Sequence, residues 1–155
     1  HDIVEGGYWR AAPDTHTQAV IAYAGAVAPE AAEAARALNA RGIPTALLAI
    51  TSYDRLYEGW SNAAGAPCQV QTLLDAVPTG ARLFTVIDGH PSALAWMGSV
   101  CGHRTTALGV QKFGESGSVG DLYRLNGINA AGIEQAVEAH ILKSAAGPAR
   151  RTASP

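Results

Sequence analysis

Apolar positions in this chain fall into short runs divided by stretches of helical spacing, and the boundaries between them carry glycine, proline or polar clusters. Residues 19–24 (AVIAYA), 45–50 (TALLAI) and 82–87 (RLFTVI) are near-continuous apolar runs of strand length, the pattern of strands buried on both faces. The first of these is expected at the centre of a sheet. Residues 105–110 (TTALGV) are a weaker version, and Gly7 to Arg10 reads as a short edge strand. Between the runs, residues 29–40 place Ala31, Ala34, Ala35 and Leu38 on one helical face, with Pro29 in the first turn and Gly42 just past the end. Shorter helices are expected at 55–60, 70–76, 92–100 and 119–125. A longer one at 129–142 carries Ile133, Ala136, Val137 and Ile141 on one face behind an Asn129 cap.

Strands separated by helices of this length run parallel, because right-handed crossovers cover both faces of the sheet. The expected fold is therefore α/β, a three-layer α/β/α sandwich of about five mostly parallel strands. At 155 residues one domain is expected, occupying 1–143. Residues 144–155 (SAAGPARRTASP) have no apolar periodicity and read as a flexible tail. There is no repeat and no internal linker.

Composition narrows the function. The net charge is -2 and only 15% of residues are charged, which leaves no basic surface for nucleic acid and points to surface covered by other polypeptide. The longest apolar stretch, 19–29, is broken by Gly25 and is far shorter than the ~20 residues that cross a bilayer. Cys68 and Cys101 make neither a disulfide framework nor a zinc site, so a reducing cytoplasm is the expected location. The chain opens on His1-Asp2 with neither initiator methionine nor signal-peptide pattern and reads as a piece of something longer.

Self-sufficient chemistry is nearly missing from the motifs. There is no GxxxxGK[ST] loop, and Gly114, Gly117 and Gly120 have the wrong spacing for a dinucleotide fingerprint. Gly114-Glu115-Ser116-Gly117 approaches a nucleophile elbow, but Ser118 stands where GxSxG needs glycine. Asp88-Gly89-His90-Pro91 would lie at a strand's carboxyl end, where open α/β sheets bind ligands, and an imidazole beside a carboxylate exchanges protons near neutral pH. The competing reading is that Asp88 turns the chain while His90 hydrogen-bonds backbone. With His103 and Arg104 they form the set of binding candidates. As metal ligands, His90 and His103 lack paired spacing and a third partner. Trp9, Trp60 and Trp96 are core or interface residues by default, and Trp96, on a glycine-rich helix, is an interface candidate.

The segment Asp88-Gly89-His90-Pro91, followed by Trp96-Met97-Gly98, Gly102-His103-Arg104, Leu108-Gly109-Val110, Phe113-Gly114-Glu115-Ser116-Gly117, Asp121-Leu122-Tyr123-Arg124 and Leu125 to Ile128, resembles the carboxyl-terminal domain of transketolase-like thiamine diphosphate enzymes. The flavour is that of the homodimeric pyruvate dehydrogenase type. The order of elements fits from about Ile3 to Ile141, and residues 86–128 are the specific part.

The resemblance implies a sandwich with one antiparallel strand, for which the edge strand at 7–10 is the occupant, and it makes Phe113 a second interface candidate. It also implies that thiamine diphosphate and Mg2+ belong to the parent enzyme, held by preceding pyrophosphate-binding and pyrimidine-binding domains. This domain would pack on the pyrimidine-binding domain and support a homodimer. No catalytic residue carries over, because the family's magnesium motif and activating glutamate have no counterpart here. His90 would reach the mouth of the active-site channel, although His90-Pro91 departs from plain transketolases. Two rivals stay open: a free-standing α/β ligand-binding or scaffold domain, and a small hydrolase built on Ser116.

Overall fold

A computed structural model describes residues 5–111, 114 and 116–145. Five strands, β1 (Gly7–Ala11), β2 (Ala19–Ala24), β3 (Thr45–Ile50), β4 (Arg82–Ile87) and β5 (Thr105–Leu108), form one sheet in the order β1-β3-β2-β4-β5. β2, β3, β4 and β5 pair in parallel, and β1 is antiparallel to β3 at the edge. The expected α/β fold, its five strands and its antiparallel edge strand are therefore observed. So is the central place of residues 19–24, which pair with β3 on one side and β4 on the other.

The period-two geometry of a strand sorts each buried run into two cores. Ala19, Ile21 and Tyr23 point to one face, where they meet α1 (Ala28–Ala40), α6 (Val119–Leu125) and α7 (Ala130–Ala145) through Ala31, Leu38, Tyr123, Ile133 and Val137. Val20, Ala22 and Ala24 point to the other. There α2 (Tyr53–Ser61), α3 (Gln69–Asp75), α4 (Ser92–Ala95) and the turn into α5 (Gly98–Cys101) supply Leu56, Leu73, Leu74, Leu94 and Met97. Both faces are covered, which explains why β2 and β3 read as apolar throughout rather than alternating.

Local chemistry sets the element ends. Pro29 lies in the first turn of α1, where a missing N–H costs nothing, and the Asn129 side chain accepts from Gly132 N–H at 3.1 Å to open α7. α7 runs to Ala145, and residues 146–155 of the expected tail lie outside the described residues. Arg41, closing α1, pairs with Glu134 and, at 2.8 Å, with Glu138 of α7.

Two expectations are modified. The helix expected at 92–100 is two short pieces. The hydrogen bonds Met97 N to Leu94 O, Ser99 N to Trp96 O and Val100 N to Met97 O span three residues, so the chain tightens to a 3-10 path there. Gly98 permits this, since a Cβ on it would lie 2.3 Å from Thr105 Oγ1. The strand expected at 105–110 ends at Leu108, and Val110 N–H bonds Gly89 O at 2.8 Å instead, tying the chain to the loop after β4.

Candidate functional site

The order of the strands singles out one place. The chain leaves β2 towards β3 on one side, while β4 lies on the other, so the carboxyl ends of β2 and β4 flank the switch point where open α/β sheets bind ligands. Gly25 follows β2 and Asp88 follows β4. The two touch: a Cβ built on Gly25 would lie 2.3 Å from Asp88 Oδ1. Gly25 also has φ +81°, a conformation that only glycine adopts at no cost. Its lack of a side chain lets the Asp88 carboxylate lie across the end of β2.

Two further side chains complete the cluster. Glu30, in the first turn of α1, has a buried Oε2 with no hydrogen-bond partner among the described residues. Tyr123 of α6 is only 9% exposed and packs into the first core. Burial pushes its hydroxyl above the ordinary phenol value, and the negative charges of Asp88 and Glu30 push the same way. Gly25, Glu30 and Tyr123 were not singled out as site residues from the sequence. A glutamate three residues into a helix looks like a favourable partner of the helix dipole, and only the sheet order brings it and Asp88 within electrostatic reach of the same tyrosine. The visible signal was a glycine directly after a fully buried strand.

His90 belongs to the same end of the sheet but does different work. Ser92 N–H donates to its Nδ1 at 3.3 Å, and Ser92 Oγ lies 2.7 Å from the same nitrogen. Because a backbone N–H can only donate, Nδ1 is the acceptor and the ring proton sits on Nε2. The exposed imidazole thus holds the start of α4, in line with the backbone-bonding reading of this loop.

His103 and Arg104 lie at the opposite end. They precede β5, which is parallel to β4, and Arg104 O accepts from Leu83 N–H near the start of β4. Six residues of strand, about 20 Å, separate the two ends. His103 is 7% exposed and its Nε2 lies 3.2 Å from Leu74 O, a buried histidine satisfied by backbone. The four candidates are therefore two pairs, with Asp88 and His90 at the carboxyl end and His103 and Arg104 at the amino end.

The second face carries an aromatic cluster. Trp60 and Trp96 stack with centroids 5.4 Å apart, and Tyr57 meets both edge-on at 6.0 and 5.1 Å. Trp96 donates Nε1–H to Ala93 O, so its polar atom is satisfied within the helix while the ring is half-buried. Tyr53 and Tyr57 are 42% and 47% exposed. Phe113, the other interface candidate, lies outside the described residues. Ser116 is exposed and has no hydrogen-bonded base among the described residues. No group of three histidine, cysteine, aspartate or glutamate side chains could hold a metal ion among the described residues, and no helix among them is long and apolar enough to cross a membrane. The carboxyl-end cluster can attract a cation, and among the described residues it pairs no nucleophile with a base.

The model of the transketolase-like TK C-terminal domain matches residues 6–129. The chain belongs to this transketolase C-terminal domain family. Solved transketolases share the fold. One from Campylobacter jejuni has a TM-score of 0.65 at 18% identity, covering 90% of this chain and 19% of its own. One from Pichia stipitis, in complex with sedoheptulose 7-phosphate, has a TM-score of 0.68 at 16% identity, covering 92% of this chain and 19% of its own. A split-gene transketolase, an inactive beta4 tetramer, gives 0.64 at 22% identity, with 88% and 42% covered. No curated protein sequence matches. The chain spans about a fifth of the length of the Campylobacter and Pichia transketolases. The family match ends at residue 129, so α7 is joined to the matched domain in this chain by its own contacts, through Ile133 and Val137 in the first core and through the Arg41 ion pairs.

Proposed function

We propose that this transketolase C-terminal domain is the accessory and dimer-supporting part of a thiamine diphosphate-dependent parent, a transketolase or a 2-oxo acid dehydrogenase of the pyruvate dehydrogenase type. The parent would cleave a carbon–carbon bond next to a carbonyl, with the cofactor supplying the electron sink. The observation that carries this is the family match over residues 6–129, in a chain that spans only a fifth of the transketolases it resembles.

The residues at the switch point do not fit the cofactor itself. A diphosphate and its magnesium need convergent donors and cationic or metal-binding groups. The switch point here offers Glu30 and Asp88, which repel a diphosphate, and the described residues hold no three-ligand group. By the family resemblance, thiamine diphosphate and Mg2+ belong to preceding pyrophosphate-binding and pyrimidine-binding domains, and no catalytic step is given to this domain.

Its contribution is positioning. The Tyr57, Trp60 and Trp96 cluster offers the large, rigid aromatic area found at protein interfaces, and Asp88 and Glu30 offer charge to a basic group of an adjoining domain. The decisive experiment is calorimetric titration of thiamine diphosphate with Mg2+ into this domain and into the full-length parent. Tight binding to the parent and none to the domain is the expected result. Tight binding to the domain alone would refute the assignment, and binding to neither would favour a free-standing ligand-binding module.

A further inference from the structure

The amino end of the sheet carries a feature that the accessory role does not use. A cleft of about 590 Å³ opens there, lined by Gln18, Thr79, Gly80, Arg82, Arg104 and Ile141 among others, which is within the range of small-molecule sites. Among the described residues no aspartate or glutamate lines it. Neither Arg82 nor Arg104 has a carboxylate partner among the described residues. Arg82 is steadied by its own strand neighbour, with Nε donating to Thr106 Oγ1 at 3.4 Å. The positive charge continues onto α7 at Lys143, and with Arg82 it adds to burial in holding the intervening His140 below its ordinary value. Arg41 and Arg124, by contrast, both face carboxylates. Arg10 bonds the Tyr23 hydroxyl and Arg36 is exposed on α1, whereas Arg82 and Arg104 share one cleft.

We propose that this cleft binds a small phosphomonoester, with Arg82 and Arg104 clamping the phosphate. A phosphate monoester carries close to two negative charges at neutral pH, and the planar guanidinium fork matches its oxygens in a way that a lysine does not. Gln18 and Thr79 supply polar groups for the remainder of the ligand, and Ile141 supplies an apolar wall for its carbon skeleton. The site lies across the sheet from the Asp88 cluster and is independent of the reading given above. Asp75, on α3, is the carboxylate of the adjoining surface. It accepts from Cys101, one residue before Gly102 of the cleft, and lines a separate depression with Asp14.

The test is calorimetric titration of the full chain with inorganic phosphate, glycerol 3-phosphate and succinate at fixed ionic strength. Saturable binding of glycerol 3-phosphate, tighter than succinate, is expected. Arg104→Gln and Arg82→Gln should each weaken it at least about tenfold, as for loss of a hydrogen bond to a charged group, while Arg36→Gln on exposed α1 leaves it unchanged. Arg104 is exposed, so its variant should keep the parent melting temperature and the result cannot be ascribed to misfolding. Absence of saturation, succinate binding as tight as the phosphates, or equal loss in Arg36→Gln would each overturn the proposal.

Discussion

Replacing Gly25 with alanine tests the geometry of the switch point most directly. Two costs are expected, and they can be separated. The backbone cost arises because φ is +81°, a left-handed conformation that costs a residue with a Cβ about 1–2 kcal/mol. The steric cost arises because the new Cβ would sit 2.3 Å from Asp88 Oδ1. Asp88 is exposed and can rotate away, at a cost of about 0.5–1.5 kcal/mol for leaving its preferred rotamer. Together the loss is about 1.5–3.5 kcal/mol, which for a chain of this length lowers the melting temperature by roughly 3–14 °C. Asp88→Ala alone should stay within about 0.5 kcal/mol, as exposed substitutions do. In the double variant only the backbone cost should remain, so urea denaturation of the four proteins should give a coupling energy of about 1 kcal/mol. Zero coupling would show that the Asp88 carboxylate does not lie against Gly25, and an undiminished stability in Gly25→Ala would show that the backbone there is not left-handed.

Titration offers three further tests. Tyr123 is held above the ordinary phenol value in the folded chain, so the unfolded chain ionises first as pH rises. Its contribution is intact below the unfolded value, near pH 10, and is lost above it; Tyr123→Phe should flatten that alkaline decline in urea midpoints measured from pH 8 to 11. His140 is held below its ordinary value, so the unfolded chain takes up the proton first as pH falls. Stability contributed above about pH 6.5 should decline through that value towards the folded one, and the difference between wild type and His140→Gln in acid denaturation curves should report it. Cys101 is pushed up to about 11 by burial first, then by its hydrogen bond to Asp75 and the charges of Asp75 and Cys68. Its thiol should therefore react with a disulfide reagent at pH 8 far more slowly than an unperturbed cysteine. Asp75→Asn should speed the reaction but leave it below the rate of an unfolded control.

The strands were legible because burial on both faces leaves a mark that needs no tertiary information: the runs 19–24, 45–50 and 82–87 became β2, β3 and β4 at the expected residues. The edge strand at 7–10 was read along the chain, and its antiparallel direction came from the family resemblance. The break near Trp96 was not legible, because Trp96 and Met97 keep helical dihedral angles and only the hydrogen bonds reveal the tightening. In the candidate site, Asp88 was found from its place after a buried strand. Glu30 and Tyr123 were passed over, since neither has a neighbour in sequence that hints at the other. Grouping His103 and Arg104 with Asp88 and His90 followed from shared glycine-rich surroundings. Strand direction separates them: a residue after one parallel strand and a residue before the next stand at opposite ends of the sheet.

That separation gives these side chains an electrical axis that the net charge of -2 conceals. Glu30 and Asp88 mark one pole, and Arg82, Arg104 and Lys143, with Asp75 on the adjoining surface, mark the other, with a strand's length of about 20 Å between them. At low ionic strength such a dipole turns in the field of an approaching charged surface before contact, presenting the pole of opposite sign. At physiological salt the poles are further apart than the ~8 Å Debye length, so each acts on its own partner with little interference from the other.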